Sequence, residues 1–151
     1  MTLAAEERAK RSTQSLWSHD DASKWLGMEI VETGPGHATL RLKVERHHTN
    51  GHDICHGGII FSLADSAFGF ACNSYNRRAV SQYVTISFIA PARLGDVLSA
   101  TACEVSRSGR NGIYDVRVND GDGNDIACFR GCSRIIDGQH FEEDRKPLAS
   151  G

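Results

Sequence analysis

The segment HGGIIFSLADSAFGFACNSYN, residues 56–76, restricts what this chain can fold into more than any other. At helical period it is apolar on nearly every side for about five turns. A surface helix shows one apolar stripe and one wet face, whereas a helix apolar all round has to be enclosed. The rest of the chain must supply that enclosure. Downstream, Ala79–Ala90, Val97–Arg107, Gly112–Asn119 and Asp125–Ile136 read as strands, joined by glycine-rich turns at RLGD, SGRNG and DGDGND. Upstream, Ala38, Leu40, Leu42 and Val44 alternate with Thr39, Arg41, Lys43 and Glu45, which predicts a half-buried strand over His37–Glu45. Gly34-Pro35-Gly36 marks a turn between it and a short strand at Met28–Thr33. Two strands, a buried helix and four more strands predict an α+β fold, an antiparallel sheet wrapped around a long central helix.

The two ends are different in kind. Residues 3–26 read as one extra N-terminal helix, with AAEERAKR supplying helix formers and Leu16, Trp17, Trp25 and Leu26 a face to dock. The expected layout is a helical extension over 1–24, one domain over 25–137, and a flexible polar tail over 138–151. A length of 151 residues suits a single domain. With a net charge of −2 and no long basic block, nucleic acid is not an expected partner. Ile59–Cys72, the longest mostly apolar stretch, is too short to span a membrane, and the charged N-terminus lacks the apolar core of a secretory signal. The five cysteines form no CxxC pair, which suits reduced thiols in a cytoplasmic protein better than a disulfide framework.

Between Ile59 and Cys72 there is one charge, Asp65. Burying an unpaired carboxylate is costly, and the helix has no structural need of one. The plainer account is a solvated stripe of Ser62, Asp65, Ser66 and Asn73; the functional one is a carboxylate in a low-polarity cleft, acting as base or nucleophile. His56-Gly57-Gly58 opens the same helix, where backbone N–H groups lack intrahelical partners and the dipole is positive. Glycine lets a substrate carbonyl approach that backbone, so the turn can serve as an oxyanion hole. Gly57 and Asp65 are eight residues apart, about 12 Å along the axis. One carbonyl carbon cannot meet both in one subunit. Two antiparallel central helices in a two-fold homodimer would bring Asp65 of one copy to Gly57 of the other, giving two shared sites.

The run NGHDICHGGIIFSLADSAFGFACNS strongly resembles the signature of the phenylacetate-degradation (PaaI-type) thioesterases of the hotdog-fold superfamily. SFIAPARLGD, SRSGRNGIYDV and FRGCSRI add to the likeness, which covers roughly residues 25 to 136. It implies a hotdog fold, a tetramer built as a dimer of dimers, and hydrolysis of aryl- or hydroxyaryl-acetyl-CoA thioesters. Carried across, Asp65 is the catalytic carboxylate, Gly57 the carbonyl-polarising amide, Asn50 and His56 lie at the thioester, and Ser81 helps place water. The thiolate leaving group, with a thiol pKa of about 8.5, needs little protonation, so His56 is expected to orient rather than to act as a base. Asp65 either deprotonates water or attacks the thioester itself. No cofactor beyond the CoA of the substrate is implied. CoA phosphates are expected against Arg93 and the turn Arg107, Ser108, Gly109 and Arg110. Phe61, Phe68 and Phe70 are expected to wall a flat acyl group.

Three other chemistries were weighed. His47, His48, His52, Cys55 and His56 offer metal ligands, but no second ligand cluster accompanies them, so no metal site is expected. An enoyl-CoA hydratase or dehydratase would use His56 and Asp65 as an acid–base pair. A non-catalytic acyl-CoA-binding module would use the same pocket without turnover.

Overall fold

Alternation along the strands decides which residues meet the central helix. A computed structural model describes residues 2–144 and 146–148. The elements are α1 (Ala5–Ser18), α2 (Asp21–Leu26), β1 (Glu29–Gly34), β2 (His37–Lys43), α3 (Gly57–Cys72), β3 (Ala79–Phe88), β4 (Val97–Ser108), β5 (Asn111–Asn119) and β6 (Asp125–Ile135). The strands form one sheet in the order β1-β2-β4-β5-β6-β3, every neighbouring pair antiparallel. The sheet lies against α3, as its apolar surface demands.

In register, Leu40 of β2 faces Ala100 of β4, Ala38 faces Ala102, and Leu42 faces Leu98. Tyr114, Val116 and Val118 of β5 and Ala127 and Phe129 of β6 extend the same buried face. Alanines on this face leave room for the helix to lie close, and Leu63, Ala64, Ala67, Phe68 and Ala71 of α3 are buried in the core with them. Each Leu or Phe so enclosed contributes about 1.5–3 kcal/mol relative to exposure. The approach is tightest at Gly131, where a Cβ would stand 2.8, 2.9 and 2.9 Å from three ring carbons of Phe68. At the far end of α3, buried Asn73 donates from Nδ2 to the Gly69 and Ala79 carbonyls, while its Oδ1 accepts from Ala79 N–H. That side chain turns the chain straight from α3 into β3, which therefore runs back antiparallel to the helix.

The N-terminal helix expected as one piece is two. Asp20 interrupts it, its carboxylate accepting the Ser23 N–H at 3.0 Å and so capping α2. Trp17 docks against Phe70, the ring centroids 5.9 Å apart, and Leu16 and Leu26 also pack on the core. Trp25 does not dock: it is 81% exposed, because α2 is short and turns that side chain outward. The polar tail, expected to fray, is tied down through residues 140–143. Asn76 Nδ2 donates to the Phe141 carbonyl, Asn76 Oδ1 accepts the His140 and Phe141 N–H groups, and Arg8 pairs with Glu143 at 2.6 Å. These partners lie far off in sequence, where composition alone gives no sign of them.

β3 is the last strand, so one of its edges has no strand partner among the described residues. Val80, Tyr83 and Phe88 on it are exposed.

Gly131→Ala would press a methyl group on a ring held on its other sides by Tyr114 and Phe129. The expected loss is about 1–3 kcal/mol of stability by chemical denaturation, typical of overpacking. Wild-type stability would show that the core can yield there.

Candidate active site

The loop entering α3 is built on backbone contacts. His48, almost fully buried, accepts the Glu45 N–H on Nδ1 at 2.9 Å and contacts the Leu26 carbonyl through Nε2 at 2.8 Å. It thereby ties the loop to the end of α2, and both ring nitrogens are occupied. Its own carbonyl receives the His56 N–H at 2.8 Å. Between them, Asn50 Oδ1 accepts the His52 N–H at 2.9 Å and Asn50 N–H reaches the Ile54 carbonyl at 2.8 Å. The tight turn puts Asp53 at a φ of 58°. Asn50 is held with its amide oxygen spent on the turn, leaving the NH2 for a ligand.

His56 is the N-cap of α3: its Nδ1 accepts the Gly58 N–H at 2.9 Å. That bond assigns the remaining proton of the neutral ring to Nε2. The Ile59 and Ile60 N–H groups both reach the His56 carbonyl. Among the first N–H groups of α3, only that of Gly57 donates to nothing among the described residues. It stands at the positive end of a 16-residue helix. The Phe88 ring lies over it, 3.2 Å from where a Cβ on Gly57 would be. Phe88 was not anticipated from sequence; its place in a period-2 strand gave only its face, and the antiparallel run of β3 on α3 gives its level.

Asp65 lies two turns further along, half-buried, with no hydrogen bond or ion pair among the described residues. Burial pushes its carboxyl above the ordinary 3.8. The stripe of Ser62, Asp65, Ser66 and Asn73 does exist; α1 and α2 border it, leaving a partly open space of about 390 Å³ in which Ser62, Asp65 and Ser66 stay half-exposed. Phe61 and Phe70 line that space. Phe68 does not: its ring packs on Tyr114 and Phe129 beneath the sheet, and Phe61, one heptad earlier on the same face, reaches both Phe129 and the space.

Ser81 lies on exposed β3, paired with Ser133, seven residues from Phe88 and so about 23 Å from it along the strand. The structure thus gathers Asn50, His56 and Gly57 at one end of α3, and leaves Asp65 and Ser81 toward the other half. The basic residues divide similarly. Arg93 bridges to Ile54 beside the Asn50 turn. The Arg107–Arg110 turn joins β4 to β5 at the opposite end, beside Ile135 and the start of β3. There Arg107 is 3.2 Å from Glu104 and stacked on the Tyr75 ring, while Arg110 is 3.9 Å from Asp137. Within one chain the anticipated CoA-phosphate set is therefore not one site. Sequence spacing cannot show this, since both turns read as exposed and basic.

The arrangement offers an open N–H at a positive helix end and, separately, an unpaired carboxylate of raised pKa. These are the two requirements of acyl transfer.

A family model described as "Thioesterase superfamily" matches residues 52–127. The chain is 37% identical over 131 residues to the acyl-coenzyme A thioesterase PaaI of Escherichia coli (strain K12), spanning 87% of this chain and 94% of that one. It is 33% identical over 105 residues to acyl-coenzyme A thioesterase 13 of Homo sapiens, 68% of this chain and 72% of that one. The solved structure of the E. coli PaaI protein, from the phenylacetic acid degradation operon, superposes with a TM-score of 0.88 at 36% identity, covering 90% of this chain and 99% of its own.

Proposed function

The chain belongs to the thioesterase superfamily and is an acyl-CoA thioester hydrolase, and from that premise we propose that it cleaves aryl- or hydroxyaryl-acetyl-CoA thioesters to free acid and CoA, in sites shared by two copies of the chain. The observation that carries this is the division of α3. Gly57 brings an open N–H, Asp65 brings an unpaired carboxylate, and about 12 Å of helix separates them. The similarity to a protein of a phenylacetic acid degradation operon supports the aryl-acetyl choice.

Two copies pairing through the open edge of β3 would set their α3 helices antiparallel. A dimer of such dimers completes the proposed assembly. The thioester oxygen would rest on Gly57 N–H of one copy, with the Asn50 NH2 beside it. Asp65 of the second copy would take a proton from a water placed with the help of Ser81, as that water adds to the carbonyl carbon. Collapse of the tetrahedral adduct breaks the C–S bond and expels CoA as thiolate. Direct attack by Asp65, followed by hydrolysis of the anhydride, starts from the same ionised carboxylate. His56 orients the helix entrance; with Nδ1 accepting from Gly58 and Nε2 protonated, it has no open basic nitrogen. That argues against a hydratase. The antiparallel pairing would also carry the Arg107–Arg110 turn of one copy toward Arg93 of the other, so that the two basic groups meet CoA together.

Asp65→Asn should lower kcat by at least about 100-fold. Its melting temperature should match or exceed that of the wild type, because the variant no longer buries a charge. The reactive form is the anion and burial raises the pKa, so wild-type kcat/KM should fall with pH along an acid limb lying above 3.8. Near wild-type kcat in the variant, measured by thiol release, would remove Asp65 from the mechanism.

A thioester panel tests the acyl group. Phenylacetyl-CoA or its hydroxylated forms should show a higher kcat/KM than palmitoyl-CoA; the reverse order would refute the aryl preference.

A further inference from the structure

The α1–α2 segment lies outside the residues that match the family model, 52–127, yet it stands over the one polar stripe of α3. The space between has a volume of about 390 Å³, within the range of about 300–1,000 Å³ typical of small-molecule sites. Leu16, Leu26, Phe61 and Phe70 give it apolar walls, and Asp65 and Ser66 are polar groups on its α3 side. It thus adjoins the carboxylate that the mechanism uses.

Ser66 is not an isolated hydroxyl. Its Oγ is 2.8 Å from Ser23 Oγ. Ser23 Oγ donates to Asp20 Oδ2 at 2.7 Å, and the other oxygen of Asp20 holds the Ser23 N–H. Counting protons fixes the direction of this chain. A carboxylate only accepts, so the single Ser23 proton goes to Asp20. Ser66 must then give its own single proton to Ser23, and what it turns to the cavity is lone pairs. Ser23 is 2% exposed, so no bulk water competes for its proton.

We infer that Ser66 is a specificity-determining residue that accepts a hydrogen bond from a hydroxyl on the acyl ring, with Asp20 and Ser23 as positioning residues that set its polarity. This deepens the acyl-CoA thioesterase reading and rests on it. A ring bearing a donor meets a preoriented acceptor between apolar walls. A ring bearing a methyl group leaves those lone pairs unmatched, and a ring bearing only an acceptor opposes them.

The test is thiol release from phenylacetyl-CoA thioesters carrying hydroxyl, methyl or methoxy at the 3- or 4-position, with melting curves to verify folding. Wild-type enzyme should favour hydroxyl over methyl, at one ring position or both. In Ser66→Ala the hydroxyl-to-methyl ratio of kcat/KM should fall about tenfold, the typical worth of one such hydrogen bond. Asp20→Asn keeps the shape but presents an NH2 to Ser23, reversing the chain and turning the Ser66 proton outward. The methoxy-to-methyl ratio should then rise above its wild-type value, a change that mere loosening of α2 would not produce. If the Ser66→Ala ratios stay within about twofold of wild type, Ser66 does not read the ring; if Asp20→Asn leaves the methoxy ratio unaltered, Asp20 and Ser23 do not set its polarity. An active enzyme with such ratios overturns this inference alone. Wild-type enzyme releasing no thiol from any of these thioesters overturns the aryl-acetyl reading and the inference together.

Discussion

Enclosing α3 is the constraint to which the rest of the fold answers. The helix is apolar on the sheet side and largely apolar elsewhere, and the chain surrounds it with six strands on one face and two short helices on another. Ala38, Ala100, Ala102 and Ala127 keep the sheet's inner face low, and Gly131 lets the Phe68 ring sit directly on the backbone. Into this enclosure the sequence puts one carboxylate with no ion-pair partner. Burial disfavours its charged form, and nothing in the packing offsets that. A group that weakens the fold while serving no contact is best accounted for by chemistry.

On the proposed reading, the same helix divides each site between two copies of the chain. At the N-terminus, His56 caps Gly58 and leaves Gly57 N–H open; two turns on, Asp65 looks into the space under α1 and α2. A helix is too stiff to bring these groups together, which is why the proposed site draws on a second copy. β3 is suited to that role: it runs back along α3, ends with Phe88 over Gly57, and has an edge without a strand among the described residues, with Val80, Tyr83 and Phe88 exposed along it. His48 couples the two halves of the architecture: Nδ1 is held by the Glu45 N–H within the entrance loop, and Nε2 contacts the Leu26 carbonyl at the end of α2. The helical segment over Asp65 and the loop carrying Asn50 are thereby in direct contact.

What sequence made legible follows from the range of the physics involved. The strands and α3 came through within a few residues, because strict alternation and an all-round apolar helix are local patterns with few alternatives. Asp65 stood out for a similar reason, as a lone charge against an apolar background. What failed was settled by distant contacts. The break at Asp20 depends on a cap worth only a fraction of the helix's total propensity; the docking of residues 140–143 depends on Asn76 and Arg8. Phe68 and Phe70 are two residues apart in a continuous apolar run, and only helix rotation against the sheet separates core from pocket. Arg93 and the Arg107–Arg110 turn look alike in sequence and lie at opposite ends of the domain.

The central claim is that each site draws Gly57 from one copy and Asp65 from another, and subunit mixing tests it most directly. Gly57→Pro suits this purpose, because the first helical position makes no intrahelical bond and accepts proline; the change removes the N–H, and the exposed Phe88 ring has to shift to admit the proline ring. Each variant alone, Asp65→Asn or Gly57→Pro, should be inactive. In a mixed dimer, one site collects both defects and the other collects neither. Equal amounts, dissociated and randomly reassociated, should therefore recover about one quarter of wild-type activity per chain, given independent sites. Verified mixed dimers without recovered activity, formed from folded Gly57→Pro chains, would contradict the shared site.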